Sequence, residues 1–263
     1  MTRILFLGDI FGKTGRQVVR DFMPKLVGEE AIDLAIANGE NASGGLGLNP
    51  GEAQELFGLG LAVLTGGNHT FRYKDTEKML DKDARLVRPA NYPEPCPGRG
   101  WTMAETAGGV RVGIGNLMGR VFINASLDCP FQAADRIIEE MKTAGAQITL
   151  IDFHAETTSE KRAMSWYVDG RLGALLGTHT HVQTADADLM PGGLAYMTDV
   201  GMCGPHNSVI GMSRDTVLPG FLSGRPKRFE AASKGARLNG VIIDFDDSGR
   251  ATSIKALNLK GVK

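Results

Sequence analysis

Residues 3–14 read RILFLGDIFGKT, an apolar run that breaks sharply at Gly8-Asp9. A short apolar run without polar alternation, closed by a turn, is the pattern of a strand buried on both faces. A helix is expected from about residue 14 to 28. The chain therefore opens strand–turn–helix, with the carboxylate of Asp9 at the strand's carboxyl end. The same stretch nearly matches a phosphate-binding P-loop. That loop needs four residues between its glycines, however, and only three separate Gly8 from Gly12, which argues against a nucleoside triphosphatase.

Working outward, residues 32–38 (IDLAIAN), 61–65 (LAVLT) and 85–88 (RLVR) read as further strands. Helices are expected near 50–58, where Pro50 suits a first turn, and over 75–81. Beyond residue 100 the pattern changes. Residues 101–107 and 110–116 flank Gly108-Gly109 as a hairpin, a helix is expected over 131–144, and strands over 147–153, 172–177 and near 194–199. Residues 238–246 and 251–258 pair across Asp247-Ser248-Gly249. Alternating strands and helices followed by hairpins give the expected fold class: α/β, with two packed mixed β-sheets flanked by helices, as a single domain over 1–263. The Pro-rich stretch 89–98 (PANYPEPCPG) is the best candidate for a long connection.

Composition narrows the function. Lys+Arg number 29 and Asp+Glu 30, a net charge of −1, which argues against a broad basic surface for nucleic acid. Cys96, Cys129 and Cys203 lie far apart with no CxxC pair, so reduced thiols are expected. The opening apolar run is too short for a signal peptide, and no apolar segment approaches membrane-spanning length. A soluble cytoplasmic protein is expected, and a homo-oligomer is compatible with the sequence.

The chemistry gathers at strand ends. Asp9 ends the first strand, Glu40-Asn41 follow the second, Asn68-His69 the third, and His154 ends the strand from 147; His179 and His181 follow the next. Ligands of α/β sheets bind outside the carboxyl ends of the strands. Taken singly, each residue has an ordinary explanation: a turn or cap for Asp9, a solvated loop for Glu40-Asn41, a hydrogen-bonded core histidine for His154. Five successive strands delivering such residues to one edge do not. The set of carboxylate, amide and imidazole donors suits manganese, iron or zinc better than calcium or a thiolate cluster. Seven candidates exceed one tetrahedral site and suit two metals sharing a carboxylate, an arrangement that clamps a phosphoryl group and generates hydroxide at neutral pH. His154-Ala155-Glu156 lacks the PCxxC of a zinc deaminase, and no GxSxG is present.

This series resembles the calcineurin-like metallophosphoesterases, whose motifs run close to D-x-H, G-D, G-N-H-[DE], H and G-H-x-H. Here they stand as Asp9-Ile10-Phe11, Gly39-Glu40-Asn41, Gly67-Asn68-His69-Thr70, His154 and His179-Thr180-His181. Phe11 replaces the usual metal-binding histidine, Glu40 the usual aspartate and Thr70 an acidic residue, while Thr178 falls between Gly177 and His179. With LFLGDIFGKTGR, NGENASGG and TGGNHTF, these variants are similar to the YmdB-type bacterial branch, associated with phosphodiesterase activity, including on 2′,3′-cyclic nucleotides.

The resemblance implies a calcineurin-like sandwich holding two transition-metal ions, iron or manganese favoured and zinc also suited. Asp9 and His181 would bind one, helped by Asn41; Glu40 would bridge; Asn68, His154 and His179 would bind the other. His69 would protonate the leaving oxygen as hydroxide attacks phosphorus in line. The implied substrate is a small phosphodiester, 2′,3′-cyclic nucleotides foremost. Alternatives on the same site are a phosphomonoesterase or protein phosphatase, or a metal- or nucleotide-sensing regulator with weak turnover. His206, in the Gly- and Pro-flanked GMCGPHNSVIGM, is a candidate substrate contact or a structural loop residue.

Overall fold

The run that opens the chain lies inside a sheet, covered on both sides, as its lack of polar alternation requires. The computed structural model describes residues 1–261. Its first half contains β1 (Thr2–Leu7), β2 (Asp9–Ile10), α1 (Gly12–Glu29), β3 (Leu34–Asn38), α2 (Pro50–Gly58), β4 (Val63–Thr65), α3 (Lys74–Lys82), β5 (Leu86–Val87), β6 (Trp101–Glu105), β7 (Arg111–Met118) and α4 (Pro130–Thr143). The second contains β8 (Ile148–His154), α5 (Thr158–Val168), β9 (Ala174–Thr178), β10 (Asp188–Leu189), β11 (Ala195–Met197), β12 (Met202–Pro205), α6 (Arg214–Ser223), β13 (Ala236–Phe245) and β14 (Ala251–Lys260).

Two sheets result. One runs β2-β12-β13-β1-β3-β4-β5, with β14 also paired to β13; the other runs β10-β11-β9-β8-β7-β6. The central pairings, β1 with β3, β3 with β4, β7 with β8 and β8 with β9, are parallel, and β6, β10, β13 and β14 bring in antiparallel partners. Both sheets are thus mixed. Strand alternation sorts the core into three layers. Ile4 and Phe6 of β1 turn towards the other sheet and meet Ile114, Leu150 and Leu176; Leu5 and Leu7 turn outward onto Val18, Val19 and Met23 of α1. On the far side, Ile151 and Phe153 of β8 pack under Ile137 and Ile138 of α4 and Met164 of α5. Each fully buried Leu, Ile or Phe contributes about 1.5–3 kcal/mol to this packing.

The expected α/β sandwich of two mixed sheets is therefore present, and the expected hairpin pairs Trp101 with Gly115 and Glu105 with Arg111. The structure adds elements that the pattern did not announce: β2, β10 and β12, each of four residues or fewer, and the helices α5 and α6. For α5 a start signal exists, Thr157 followed by Glu160 three residues on. For α6 the signal is spoiled by Pro219-Gly220 in its middle. Among the described residues no helix is long and apolar enough to cross a membrane, and the three cysteines form no disulfide.

Candidate metal centre

The carboxyl ends of β1, β3 and β4 in one sheet meet those of β8 and β9 in the other, so parallel register within each sheet and the packing of the two sheets deliver Asp9, Glu40, Asn41, Asn68, His69, His154, His179 and His181 to one cluster. Glu40 is at its centre. Its Oε1 lies 3.1 Å from His69 Nδ1, 3.3 Å from His154 Nε2 and 3.0 Å from Asn41 Nδ2, and its Oε2 accepts the His69 backbone N–H at 2.9 Å. On one side, His154 Nε2 is 2.9 Å from Asn68 Oδ1 and 3.0 Å from His179 Nδ1. Glu40, His154 and His179 form a group whose donor atoms all fall within 4.8 Å of one another. On the other side, Asn41 Nδ2 is 3.1 Å from His181 Nε2 and 3.4 Å from Asp9 Oδ1, and His181 Nε2 is 3.7 Å from Asp9 Oδ1. Rotating the Asn41 amide would place its oxygen among those acceptors, an arrangement that a cation between them would stabilise, and would move that oxygen away from His69 Nδ1, which it meets at 2.9 Å in this structure.

Small residues make the approach possible. A Cβ on Gly67 would collide with the Glu40 carboxylate and the His154 ring, which explains the glycine before Asn68-His69. Phe11, in place of a histidine, is buried and packs edge-on against His181 with ring centroids 5.6 Å apart. It supports a candidate ligand instead of supplying one.

A donor set fits a metal when each imidazole has one nitrogen anchored and the other aimed inward. All three candidate histidines meet this test. Thr178 Oγ1 donates to Asp152 Oδ1 at 2.7 Å, leaving its lone pair for the N–H of His154 Nδ1 at 2.9 Å. Glu156 Oε2 lies 3.0 Å from His179 Nε2, and the Ile210 carbonyl 2.8 Å from His181 Nδ1. Asp152 is itself fully buried, accepting from Thr65 Oγ1 at 2.5 Å and Asn38 Nδ2 at 2.9 Å, and burial lifts its carboxyl to about 6. Asp152, Thr178 and Glu156 are absent from the sequence-derived site. Asp152 interrupts the apolar run 147–153, and that interruption was the available signal.

His179 and His181 adopt positive φ, 101° and 63°, a region that costs a non-glycine residue about 1–3 kcal/mol each. Surrounding bonds hold them there. Asp9 Oδ2 accepts the His179 N–H at 3.0 Å, and Asp199 Oδ2 accepts the Thr180 N–H at 3.0 Å. Buried Lys161 clamps the segment from behind, with Nζ 2.7 Å from the Thr178 carbonyl and 2.8 Å from Asp199 Oδ2.

Among the described residues neither Asp9 nor Glu40, both fully buried at the side chain, pairs with lysine or arginine; imidazoles are their only counter-charges. Burial alone would raise both carboxyl pKa values. His181 and His154 overcome it at Asp9, His154 and His69 at Glu40, so both lie below the ordinary range, Glu40 well below. Burial opposes charge on His154, but Glu40, Asp9 and Asp152 lift it to about 9. Burial and the His154 charge push His179 down to about 3. Two dry carboxylates that draw a proton onto a buried imidazole make a strongly cation-seeking pocket.

Glu40, Asn41, His69, His179 and His181 open onto a cavity of about 510 Å³. His69 is the most exposed of the four clustered imidazoles, 30 % at the side chain. His206 does not line this cavity: its Nε2 is held 3.0 Å from the Met202 carbonyl. Lys13, which a P-loop would aim at phosphate, is exposed at the start of α1.

Comparison with known proteins agrees with this architecture. A "2′,3′-cyclic-nucleotide 2′-phosphodiesterase" from Bacillus subtilis (strain 168) is 46 % identical over 245 residues, covering 93 % of this chain and 92 % of that protein. The crystal structure of a hypothetical protein from Thermus thermophilus superposes with a TM-score of 0.92 at 40 % identity, covering 98 % of this chain and 99 % of the other. A 5′-nucleotidase precursor from the same organism shares the fold alone, with a TM-score of 0.60 at 14 % identity over 98 % of this chain and 54 % of its own. Residues 5–257 match the family described as YmdB-like protein, and the chain, with its metallophosphoesterase-like sandwich, belongs to that family.

Proposed function

We propose that this chain, acting as one domain over residues 1–263, is a dinuclear metal-dependent phosphodiesterase on small diesters, 2′,3′-cyclic nucleotides foremost. The observation that carries the reading is the buried Glu40 carboxylate, central to a cluster in which His154, His179 and His181 each have one anchored nitrogen and one facing inward. Asp9, Asn41 and His181 would hold one transition-metal ion, Asn68, His154 and His179 the other, with Glu40 between them; iron or manganese suits this set, and zinc also fits it. When bound, the pair supplies Lewis acidity and an activated water for attack on phosphorus.

The chain's own residues do the rest. His69, the imidazole most open to the cavity, holds a proton at Nδ1 against Glu40 Oε1 and passes one to the departing oxygen. Thr178, Glu156 and the Ile210 carbonyl keep the ligand rings aimed. The preference for diesters is supported by the cavity lining, which among the described residues contains no lysine or arginine. A monoester dianion carries an extra charge with no side-chain cation to meet it, whereas a diester monoanion needs none beyond the metals. The name of the Bacillus subtilis relative points to the same substrate class.

The test is turnover by the metal-loaded protein on matched mono- and diesters, beside metal analysis. Diester hydrolysis well above monoester hydrolysis is expected. Monoester hydrolysis alone, or no turnover with both metals bound, would contradict the reading and favour a phosphatase or a sensor respectively.

A further inference from the structure

One wall of the cavity is built differently from the candidate metal site. Val209, Ile210, Met212, Val217, Phe221 and Phe229 line it, and none offers a hydroxyl, amide or charged group. These residues come from α6 and its flanking loops. Three of them stand open, with Phe221 78 %, Ile210 52 % and Phe229 48 % exposed. Large apolar side chains left open in a concave site are covered by what binds there.

The wall is joined to the metal cluster. The Ile210 carbonyl that anchors His181 Nδ1 belongs to a wall residue, and the Phe11 ring packs against both Gly211, the next residue along the chain, and His181. The cluster, Phe221 and Phe229 line one cavity, so a molecule whose phosphate reaches the cluster has Phe221 and Phe229 within the same cavity for its other end. At about 510 Å³ the cavity falls in the range of small-molecule sites.

Resting on the phosphodiesterase reading above, we propose that Phe221 and Phe229 form a stacking wall for the nucleobase. The enzyme then selects diesters that carry a planar aromatic group without reading which base it is. Base identity is read by hydrogen bonds to the base edges, and the wall has no side chain to make them. Stacking on an aromatic ring is tolerant because every base has a π-face. The outer face of α6 also exposes Leu218 and Leu222, which do not line the cavity, so a second copy of the chain is the rival occupant of this region.

The test measures kcat/KM for the 2′,3′-cyclic phosphates of adenosine, guanosine, cytidine and uridine, and for base-free glycerol 1,2-cyclic phosphate. Wild type, Phe221→Ala and Phe229→Ala are compared, with sedimentation of each. In wild type the four nucleotides should fall within about fivefold of one another, and all should exceed the base-free diester by about tenfold or more, as stacking energies of this kind imply. Either variant should pull the nucleotide-to-glycerol ratio towards one, mainly through KM. A spread between bases above about tenfold, or an unchanged ratio in both variants, overturns the stacking wall. So does a changed oligomeric state with nucleotide KM unaltered, which makes the surface an interface between copies. Failure of wild type to hydrolyse any of the five diesters removes the phosphodiesterase reading itself, a result distinct from a failure of the wall alone.

Discussion

The two halves of the cavity are built by opposite means. Its floor hangs from the ends of five strands, and the side chains of Asp9, Glu40 and His154 are fully buried there. Each floor imidazole is tied by a second partner, and the His179–His181 backbone is held in a costly conformation. The wall hangs from loops and from α6, a helix that holds Pro219 in its interior and carries open apolar side chains. A metal site of the kind proposed for the floor demands fixed distances and fixed tautomers, which rigid elements with a supporting shell supply. A flat apolar contact tolerates displacement and can be left to loops. Substitutions in the floor should therefore cost far more than substitutions in the wall.

The largest effect is expected at His69. His69→Ala should retain both metals and lose about 10²–10⁴-fold in turnover of a cyclic nucleotide, the usual contribution of a general acid. The loss should shrink on a nitrophenyl diester, whose leaving group needs little protonation. Equal losses on both substrates would assign His69 to charge stabilisation or positioning, and loss of metal would make it a ligand.

Lys161 comes next. Lys161→Met leaves Asp199 buried without its cation and frees the Thr178 carbonyl, so denaturant unfolding should register a loss of about 3–5 kcal/mol. A change under about 1 kcal/mol would mean that the strained segment is held by its other bonds alone.

A smaller loss is expected at Thr178. Thr178→Val removes the acceptor for His154 Nδ1–H and should weaken metal binding by about 10–100-fold, read by titration with manganese. In wild type the same titration should be pH-dependent. His154, lifted to about 9 by Glu40, Asp9 and Asp152 against burial, must give up its proton to bind metal, so affinity should rise with pH and level off above about 9. Pure wall residues belong at the bottom of this scale: Phe221→Ala is expected to act through KM on nucleotides alone, and an effect as large as that of His69→Ala would erase the contrast between floor and wall.

The same contrast explains what the sequence makes legible. Asp9, Glu40, Asn68, His154, His179 and His181 stand out because ligand-type residues are rare directly after apolar runs, and parallel register within each sheet and the packing of the two sheets then bring them together. Their supports do not stand out. Thr178 reads as an inserted residue before His179, Glu156 as loop, and Lys161 as one more charge in a helix that carries only a capping signal. Their roles depend on partners 17 to 38 residues away, which no local pattern encodes. The wall is less legible still, since valines, methionines and phenylalanines near a Pro-Gly pair resemble any packed loop. His206 shows the converse: its glycine- and proline-flanked setting suggests a site, yet the fold turns its ring to the Met202 carbonyl.

The central claim is that Glu40 joins two metal sites. Crystals of the manganese-loaded protein, with anomalous scattering recorded for wild type and Glu40→Gln, test it most directly. The account predicts two ions per chain in wild type, one beside Asp9 and His181 and one beside Asn68, His154 and His179, both touching Glu40, and reduced occupancy of both in the variant. A single ion, or loss confined to one position when Glu40 is changed, would contradict it.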